Sequence, residues 1–182
     1  AAGAVLILGM VLAAVLAEII TTHDPTSNSL ADMLKPPSLE FPFGTDQFGR
    51  DVLTRIIYGS RTALVVGFGA SLTGSTLGYI FGVVGAYFGG RVDGAIQRLM
   101  DVLISFPLIV IAIAVVAALG PGTLNVVVAI TIPIIPRVAR VVRSSALTVV
   151  AMPYVEATRS VGARSGRIMF RHVAPNVFAP YL

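Results

Sequence analysis

The sequence has no cysteine and no tryptophan, and only 12% of its residues are charged. Without cysteine the chain forms no disulfide and offers no thiolate ligand to a metal. A soluble domain carries about 25% charged residues, so this composition is not that of a soluble domain. The 55% hydrophobic content and the mean hydropathy of +0.88 place the chain in a lipid bilayer.

Motifs for several kinds of chemistry are also missing. There is no phosphate-binding loop, so we expect this chain to bind neither ATP nor another cofactor. His23 and His172 lie far apart in the sequence, so no metal site is predicted, and no catalytic residue is evident. The arginines near the end lack interleaved aromatic residues, which argues against nucleic acid as a partner. Nothing in the sequence indicates an enzyme.

Long apolar runs are the main positive feature, since a membrane-spanning helix needs about 20 apolar residues. We predict an all-α, polytopic integral membrane protein with four transmembrane helices, at residues 1–20, 62–88, 101–119 and 123–143. A signal peptide ending near Ala17 is the alternative for the first run, but the length of the run favours a span. Pro107 is expected to kink the third span, and Pro133 and Pro136 the fourth.

Residues 21–60 form a polar connector rich in proline and glycine. Its second half, at about 45–59, predicts a short amphipathic helix capped by Thr45 or Asp46. Two acid-first ion pairs with a spacing of four are expected, Asp46–Arg50 and Asp51–Arg55. The apolar side of this helix suits a membrane surface or a partner helix, while an ordinary solvated helix explains the spacing equally well.

Small residues recur at every fourth position of the second span. They are Ala70, Gly74, Gly78, Gly82 and Ala86. Such an edge lets two helix backbones approach closely in lipid, and we predict that it packs against another helix. Glycine is common in membrane helices in any case, but five small residues in register favour packing.

The fourth span ends in Arg137, Arg140 and Arg143. A row of this kind suits a voltage sensor, which needs acidic partners within the membrane, or a membrane anchor on the cytoplasmic side. Only Glu18 and Asp101, both near span ends, are available as partners, and this favours the anchor. Asp93 and Asp101 are expected to pair locally with Arg91 and Arg98 of the polar turn at residues 89–101.

The distribution of arginine predicts the orientation. Residues 137–171 carry seven arginines and one acid, so this end is predicted to face the cytoplasm. Counting back through four spans places the 89–101 turn inside, the 21–60 connector outside and the N-terminal end inside. The connector holds three basic against five acidic residues, which agrees with this orientation.

A polar segment at 150–176 follows the last span. Pro153 suits the first position of a helix, and Gly162 suits a stop just past its end. Ser165 is expected to cap a second short helix that Pro175 ends or kinks. Glu156-Ala157-Thr158, followed by Gly162 and Pro175, resembles the EAA loop of bacterial ABC-importer permeases, with Thr158 in place of a second alanine.

Two further motifs resemble the dipeptide/oligopeptide/nickel branch of that family. One is Arg171-His172-x-x-Pro175-Asn176, and the other is the Gly-Thr-Asp-x-x-Gly-Arg-Asp pattern of residues 44–51 that continues to Arg61. The resemblance covers roughly residues 40–182, and residues 61–182 correspond to the permease core. Family members have about six spans and a short cytoplasmic start, so this chain is expected to be truncated at both ends.

The resemblance implies a permease subunit of an ATP-driven importer, which moves peptides or a related small solute across a bacterial-type inner membrane by alternating access. The implied partners are a second permease subunit, two cytoplasmic ATPases that carry ATP and Mg, and an extracytoplasmic substrate-binding protein. The implied ATPase-coupling residues are Glu156, Ala157, Thr158, Arg159, Gly162, Arg164 and Pro175. A channel or voltage-responsive four-helix domain is the competing hypothesis, and a scaffold that binds anionic lipid is a third.

Overall fold

A computed structural model of the chain describes residues 2–178, and the regular elements in that range are helices and helical turns apart from one isolated bridge. The α-helices are α1 (Ala2–Val15), α2 (Ala17–Ile20), α3 (Val52–Phe88), α4 (Gly90–Ser105), α5 (Leu108–Leu119), α6 (Thr123–Val150), α7 (Pro153–Ser160) and α8 (Ser165–Ile168). Short 3-10 turns cover Leu30–Asp32 and Ala174–Val177, and a π-helical turn covers Met169–Val173. The chain forms two compact units that divide after Gly67. The all-α prediction is confirmed.

Residues 45–51 form a loop where the sequence predicts the first turns of an amphipathic helix. The Asp46 carboxylate accepts two backbone N–H groups of this loop, at 2.8 and 3.1 Å. Gly49 has a φ of +72°, a left-handed conformation that interrupts a helix. Because side-chain bonding of this local kind competes with helix formation, the helix predicted at about 45–59 begins only at Val52.

Thr45, one of the two residues expected to cap that helix, crosses the loop instead. Its hydroxyl accepts the N–H of Lys35 at 2.8 Å and donates to the carbonyl of Asp32. Its backbone forms an isolated antiparallel bridge with Asp51. These bonds link positions well separated in the sequence, so the connector is an ordered loop within the first unit.

Asp51 caps α3 and does not pair with Arg55 as predicted. Its carboxylate accepts the backbone N–H of Thr54 at 3.0 Å and the Thr54 hydroxyl at 2.6 Å. A carboxylate at this place satisfies N–H groups that have no partner within the helix. Arg55 instead bonds Asp46, which also pairs with Arg50 at 2.9 Å. The predicted Asp46–Arg50 pair is therefore confirmed, and the Asp51–Arg55 pair is wrong.

Arg61 contacts the chain at the break between α1 and α2. Its Nε donates to the carbonyl oxygen of Ala14 at 2.6 Å, and its Nη1 lies 3.2 Å from the carboxylate of the exposed Glu18. A side chain that takes a backbone carbonyl in this way interrupts the helical hydrogen-bond ladder. The first apolar run, predicted as one helix over residues 1–20, therefore forms α1 and α2.

Two helices of the described range, α3 and α6, are long and apolar enough to cross a membrane, with 37 and 28 residues. A third span results if α4 and α5 count as one bent helix. α1 is apolar but has only 14 residues, and α6 runs past its predicted end to Val150 with Pro133 and Pro136 inside it. The chain is thus an all-helical membrane protein with two or three apolar spans by length, and the count of four stays a prediction.

The third span predicted at 101–119 is divided at Pro107. α4 ends at Ser105, α5 starts at Leu108, and their axes differ by 89°. Pro107 has no N–H, and Phe106 before it is extended with φ −96° and ψ 136°. α5 alone is about 18 Å long, which is less than the hydrocarbon thickness of about 30 Å. The kink predicted at Pro107 is confirmed, and the bend is sharp enough to divide the range into two helices.

α3 packs against α6 along its row of small residues. A Cβ placed on Gly74, Gly78 or Gly82 would lie 2.8, 2.7 or 2.7 Å from the nearest α6 atom. Real Cβ contacts are longer, so only glycine allows the two backbones this approach. Ala70 and Ala86, at the two ends of the row, are buried.

The acids of α4 pair with arginines of α6, whereas the sequence predicts pairing with arginines of their own turn. Asp93 bonds Arg143, and Asp101 bonds Arg140, each pair with an N–O distance of 2.5 Å. Two of the three arginines that end the predicted fourth span are therefore neutralised by a neighbouring helix. Helical spacing does not reveal these pairs, because the partners lie 50 and 39 positions apart along the chain.

Candidate functional site

The 153–177 segment, which consists of α7, α8 and the two turns after it, follows α6 directly. Pro153 is the first residue of α7, as predicted, because the N–H that proline lacks is not needed there. α7 ends at Ser160, and Gly162 just beyond it has a φ of +80°. The N–H of Gly162 donates to the carbonyl of Arg159 at 3.0 Å. The predicted stop at Gly162 is confirmed.

The second half of the segment departs from the regular helix that the sequence predicts. Ser165 is the first residue of α8 and not its cap, since Arg164 precedes the helix with extended backbone and no side chain caps it. The helix widens into a π-helical turn at Met169 and then tightens into a 3-10 turn that contains Pro175. The backbone thus changes pitch before it reaches the proline, which has no N–H to continue a regular ladder.

Three side chains and one carbonyl connect the two halves of the segment. The Tyr154 hydroxyl on α7 donates to the backbone carbonyl of His172 at 3.2 Å. The Asn176 amide donates to the same carbonyl at 2.7 Å and to the Tyr154 oxygen at 3.3 Å. The rings of Tyr154 and His172 lie 6.4 Å apart. These contacts make the two helices and their turn one unit.

The inner face of the segment is part of the largest buried cluster of the second unit. Val155, Ile168, Val173 and Val177 are each no more than 1% exposed and pack with residues of α3 and α6, which include Val83, Ala86, Val142, Ala146 and Val149. Burying a valine or isoleucine side chain contributes about 1.5–3 kcal/mol. The Tyr79 hydroxyl of α3 also donates to the carbonyl of Ala174. The segment is therefore attached firmly to the two long helices.

The outer face carries the residues that the family resemblance implies for coupling. Those exposed are Glu156, Ala157, Arg159, Gly162, Arg164 and Pro175, and Thr158 is half-buried. The Thr158 hydroxyl donates to the carbonyl of Tyr154 at 2.7 Å, and this fixes it on its own helix. The structure thus brings these residues onto one compact segment.

Glu156 and Arg159 do not form the local ion pair that their spacing allows. Within residues 2–178 no ion pair involves Glu156, and the Arg159 guanidinium lies 5.9 Å from the centre of the Tyr87 ring. Together with Ser160 and the end of α6, the two side chains line a shallow pocket of about 310 Å³. Both charges are therefore open to a partner.

Two exposed apolar residues of the segment were missed by the reasoning from sequence. Val161 is 83% exposed and Phe170 is 73% exposed. Large apolar side chains within a polar, arginine-rich stretch were the signal in the sequence that could have found them. They add apolar contacts to a surface whose charges are four arginines and one glutamate over residues 153–177.

The chain is similar to known transport proteins over most of its length. The family described as binding-protein-dependent transport system inner membrane component matches residues 74–182. A Brucella suis protein, provisionally named a peptide transport system permease protein, is 46% identical over 180 residues, which is 99% of this chain and 60% of that protein. The dipeptide transport system permease protein DppC of Alkalihalophilus pseudofirmus is 40% identical over 184 residues, covering 99% of this chain and 59% of its own length. DppC of Bacillus subtilis is 36% identical over 175 residues, with 96% and 55% covered.

The chain therefore spans between 55% and 60% of the length of these relatives. The matched region includes all three close-contact glycines of α3 (Gly74, Gly78 and Gly82), the helices α4 to α6, and the whole 153–177 segment. The family resemblance inferred from the residues around Glu156, Gly162 and Pro175 is confirmed at the level of the family. The chain belongs to the family of binding-protein-dependent transport system inner membrane components.

Proposed function

We propose that this chain is the transmembrane permease subunit of an ATP-driven importer that moves peptides or a related small solute. The family supports a transport role at an inner membrane, and relatives are named for peptide or dipeptide transport. The observation that carries the proposal is the 153–177 segment, which is firmly attached on its inner face and open on its outer face. That combination suits a lever that a partner pushes.

The mechanism follows from how the segment is attached. Partner ATPases bind the outer face of α7 around Glu156 and Arg159, and ATP drives the two ATPases together. Because the buried valines of the segment are packed on α3 and α6, its displacement shifts those helices with it. The spans then alternate between outward-open and inward-open arrangements, which is a rigid-body transition of packed elements.

The surface chemistry supports a protein partner for this face. The segment is basic, with exposed arginines at positions 164, 167 and 171, and it presents exposed Val161 and Phe170. Arginine and aromatic residues are enriched where proteins bind one another, and basic charge speeds association with an acidic groove. Glu156, which lacks an ion partner in the described chain, provides an acceptor for a basic residue of the partner.

The arrangement of the complex is also part of the proposal. The chain would have four transmembrane helices in this stretch, with the 153–177 segment in the cytoplasm and the 21–60 connector outside. A second permease subunit would complete the pathway, and an extracytoplasmic binding protein would deliver the solute. ATP and Mg would reside on the two ATPase subunits, with no cofactor and no catalysis on this chain.

Co-purification of the full-length protein with its partner permease and ATPases tests the proposal. Glu156→Ala should reduce the amount of ATPase recovered per permease, because a charge at the contact is lost. Glu40→Ala is the matched control, since Glu40 is an exposed glutamate in the connector. Equal recovery of ATPase with both variants, or no ATPase with the wild type, would contradict the proposed coupling face.

A further inference from the structure

Asp93 of α4 and Arg143 of α6 form a bidentate salt bridge, which is called the clasp below. The Arg143 Nε donates to Asp93 Oδ1 at 2.6 Å, and Nη2 donates to Oδ2 at 2.5 Å. A guanidinium that engages both oxygens of a carboxylate fixes the orientation of the two side chains as well as their distance. This pair thus restrains the two helices in both separation and rotation.

The clasp lies where three helices meet. The side chains of Asp93 and Arg143 are only 15% and 30% exposed. On α3, a Cβ added to Gly85 would lie 3.1 Å from Asp93 Oδ1, and one added to Gly82 would lie 2.9 Å from the backbone nitrogen of Arg143. The glycines of α3 therefore leave room for the pair, and the pair is enclosed by α3, α4 and α6.

A second pair on the same two helices differs in each of these respects. Asp101 and Arg140 are joined by one hydrogen bond, between Nη2 and Oδ1. Their side chains are 58% and 47% exposed. An exposed ion pair of this kind contributes little to the free energy of folding, because water and salt screen the two charges. It is a natural control for the enclosed pair.

We propose that Asp93 and Arg143 are positioning residues that make α4 move with α6 during transport. Arg143 lies about two turns before the end of α6 at Val150, and α7 begins at Pro153, so a push on the 153–177 segment reaches Arg143 through one continuous helix. The clasp passes that displacement to α4, while α5 packs on α6 directly. This inference rests on the proposed function, since it concerns how the same lever moves the spans.

The clasp requires both opposite charges and the planar guanidinium, and two substitutions remove these features separately. Asparagine at position 93 keeps the shape of the side chain but removes its charge, and lysine at position 143 keeps the charge but removes the planar fork. Met100 of α4 also packs on Ile135 and Ala139 of α6, but apolar contacts are not directional and do not fix rotation as the clasp does. Both changes should therefore weaken the coupling of the two helices while the 153–177 segment still binds the ATPases. ATP would then be hydrolysed with little solute moved.

The test uses the full-length permease with its partner subunits in liposomes and measures the amount of a labelled dipeptide taken up per ATP hydrolysed. This ratio does not depend on the amount of folded complex, because lost protein lowers uptake and hydrolysis together. Asp93→Asn and Arg143→Lys should lower the ratio by about tenfold, the effect of losing a charge-assisted hydrogen bond. Asp101→Asn, the matched control, should leave the ratio within about twofold of the wild type.

Each outcome decides the matter. An Asp93→Asn complex with the wild-type ratio overturns the clasp while leaving the importer function intact. If the single variants do not assemble, the exchanged pair Asp93→Arg with Arg143→Asp decides: a recovered ratio supports the clasp, and an assembled complex without recovery overturns it. A wild-type complex that shows no ATP-dependent uptake overturns the proposed function, and the clasp with it.

Discussion

Glycine is required in this chain for two different reasons, backbone conformation and close helix packing. At Gly162 the reason is the left-handed backbone φ of +80°, since no atom lies within 4 Å of where a Cβ would be. At Gly78 and Gly82 the helix is regular and the reason is the backbone of α6, which a Cβ would meet at 2.7 Å. The second reason ties a residue choice directly to how closely two membrane helices pack.

Gly82→Ala should therefore destabilise the protein. The added methyl would meet the Ala139 carbonyl at 2.7 Å and Val142 Cβ at 2.9 Å, and neither atom lies on a flexible side-chain end. Overpacking of this kind costs about 1–3 kcal/mol and should lower the thermal midpoint measured in detergent. Gly67→Ala on the same helix is the control, since nothing lies within 4 Å of its position. A midpoint for Gly82→Ala at or above that of Gly67→Ala would refute the close approach of α3 and α6.

The connector loop should lose stability in acid because of Asp46. Burial alone would raise the pKa of Asp46, but hydrogen bonds from the backbone N–H groups of Arg50 and Phe48 and from the Arg50 side chain outweigh it and lower the pKa to about 2. A lowered pKa in the fold stabilises it above the unfolded pKa of about 3.9, and this contribution disappears as the pH falls toward about 2. The thermal midpoint of Asp46→Asn should lie below that of the wild type at neutral pH. The two should converge between about pH 4 and pH 2, and a constant difference down to that pH would argue against this role of the carboxylate.

At the scale of elements, the position of Asp51 sets where α3 begins. The sequence places acids at both 46 and 51, and either could cap a helix by propensity alone. The outcome depends on Gly49, whose left-handed φ turns the chain, and on Asp46, whose carboxylate is engaged by that turn. Only Asp51 is then free to receive the first N–H groups of α3.

Asp51→Ala should shorten or fray the start of α3. Loss of an N-cap carboxylate costs about 0.5–2 kcal/mol, and the first-turn N–H of Thr54 would be left without its acceptor. Asp51→Asn keeps an acceptor oxygen and should retain most of the stability. Hydrogen exchange at residues 53 to 55 reports this directly. Faster exchange in the alanine variant than in the asparagine variant is expected, and equal rates in both would mean that Asp51 is not the cap.

The sequence predicted some helices and contacts correctly and others not, depending on whether the signal is local. α7 was placed correctly because Pro153 and Gly162 are local signals whose effect does not depend on distant residues. The division at Pro107 was underestimated, because a proline signal gives a break but not the 89° angle, which packing decides. The acids of α4 were assigned to the wrong arginines, because spacing along the chain predicts ion pairs only within one helix, and these pairs join two helices.

For the whole molecule, the sequence was sufficient for the class of protein and for the family. Low charge and long apolar runs predicted an all-helical membrane protein, and the motif from Glu156 to Pro175 led to the family that residues 74–182 match. The sequence did not show that the 153–177 segment is buried on one face and open on the other. That property depends on contacts of Val155 and Val173 with α3 and α6, which are distant in the sequence.

We expect the outer face of α7 to bind an ATPase. Because this stretch contains no cysteine, single cysteines at positions 156, 159 and 40 can be compared in the full-length transporter for cross-linking to a reactive ATPase. Glu40 is an exposed glutamate of the connector that is proposed to lie on the other side of the membrane, so it serves as the control. We expect cross-links from 156 and 159 whose yield changes with ATP, and none from 40. Cross-linking that is absent from 156 and 159 in an assembled, transporting complex would contradict this expectation.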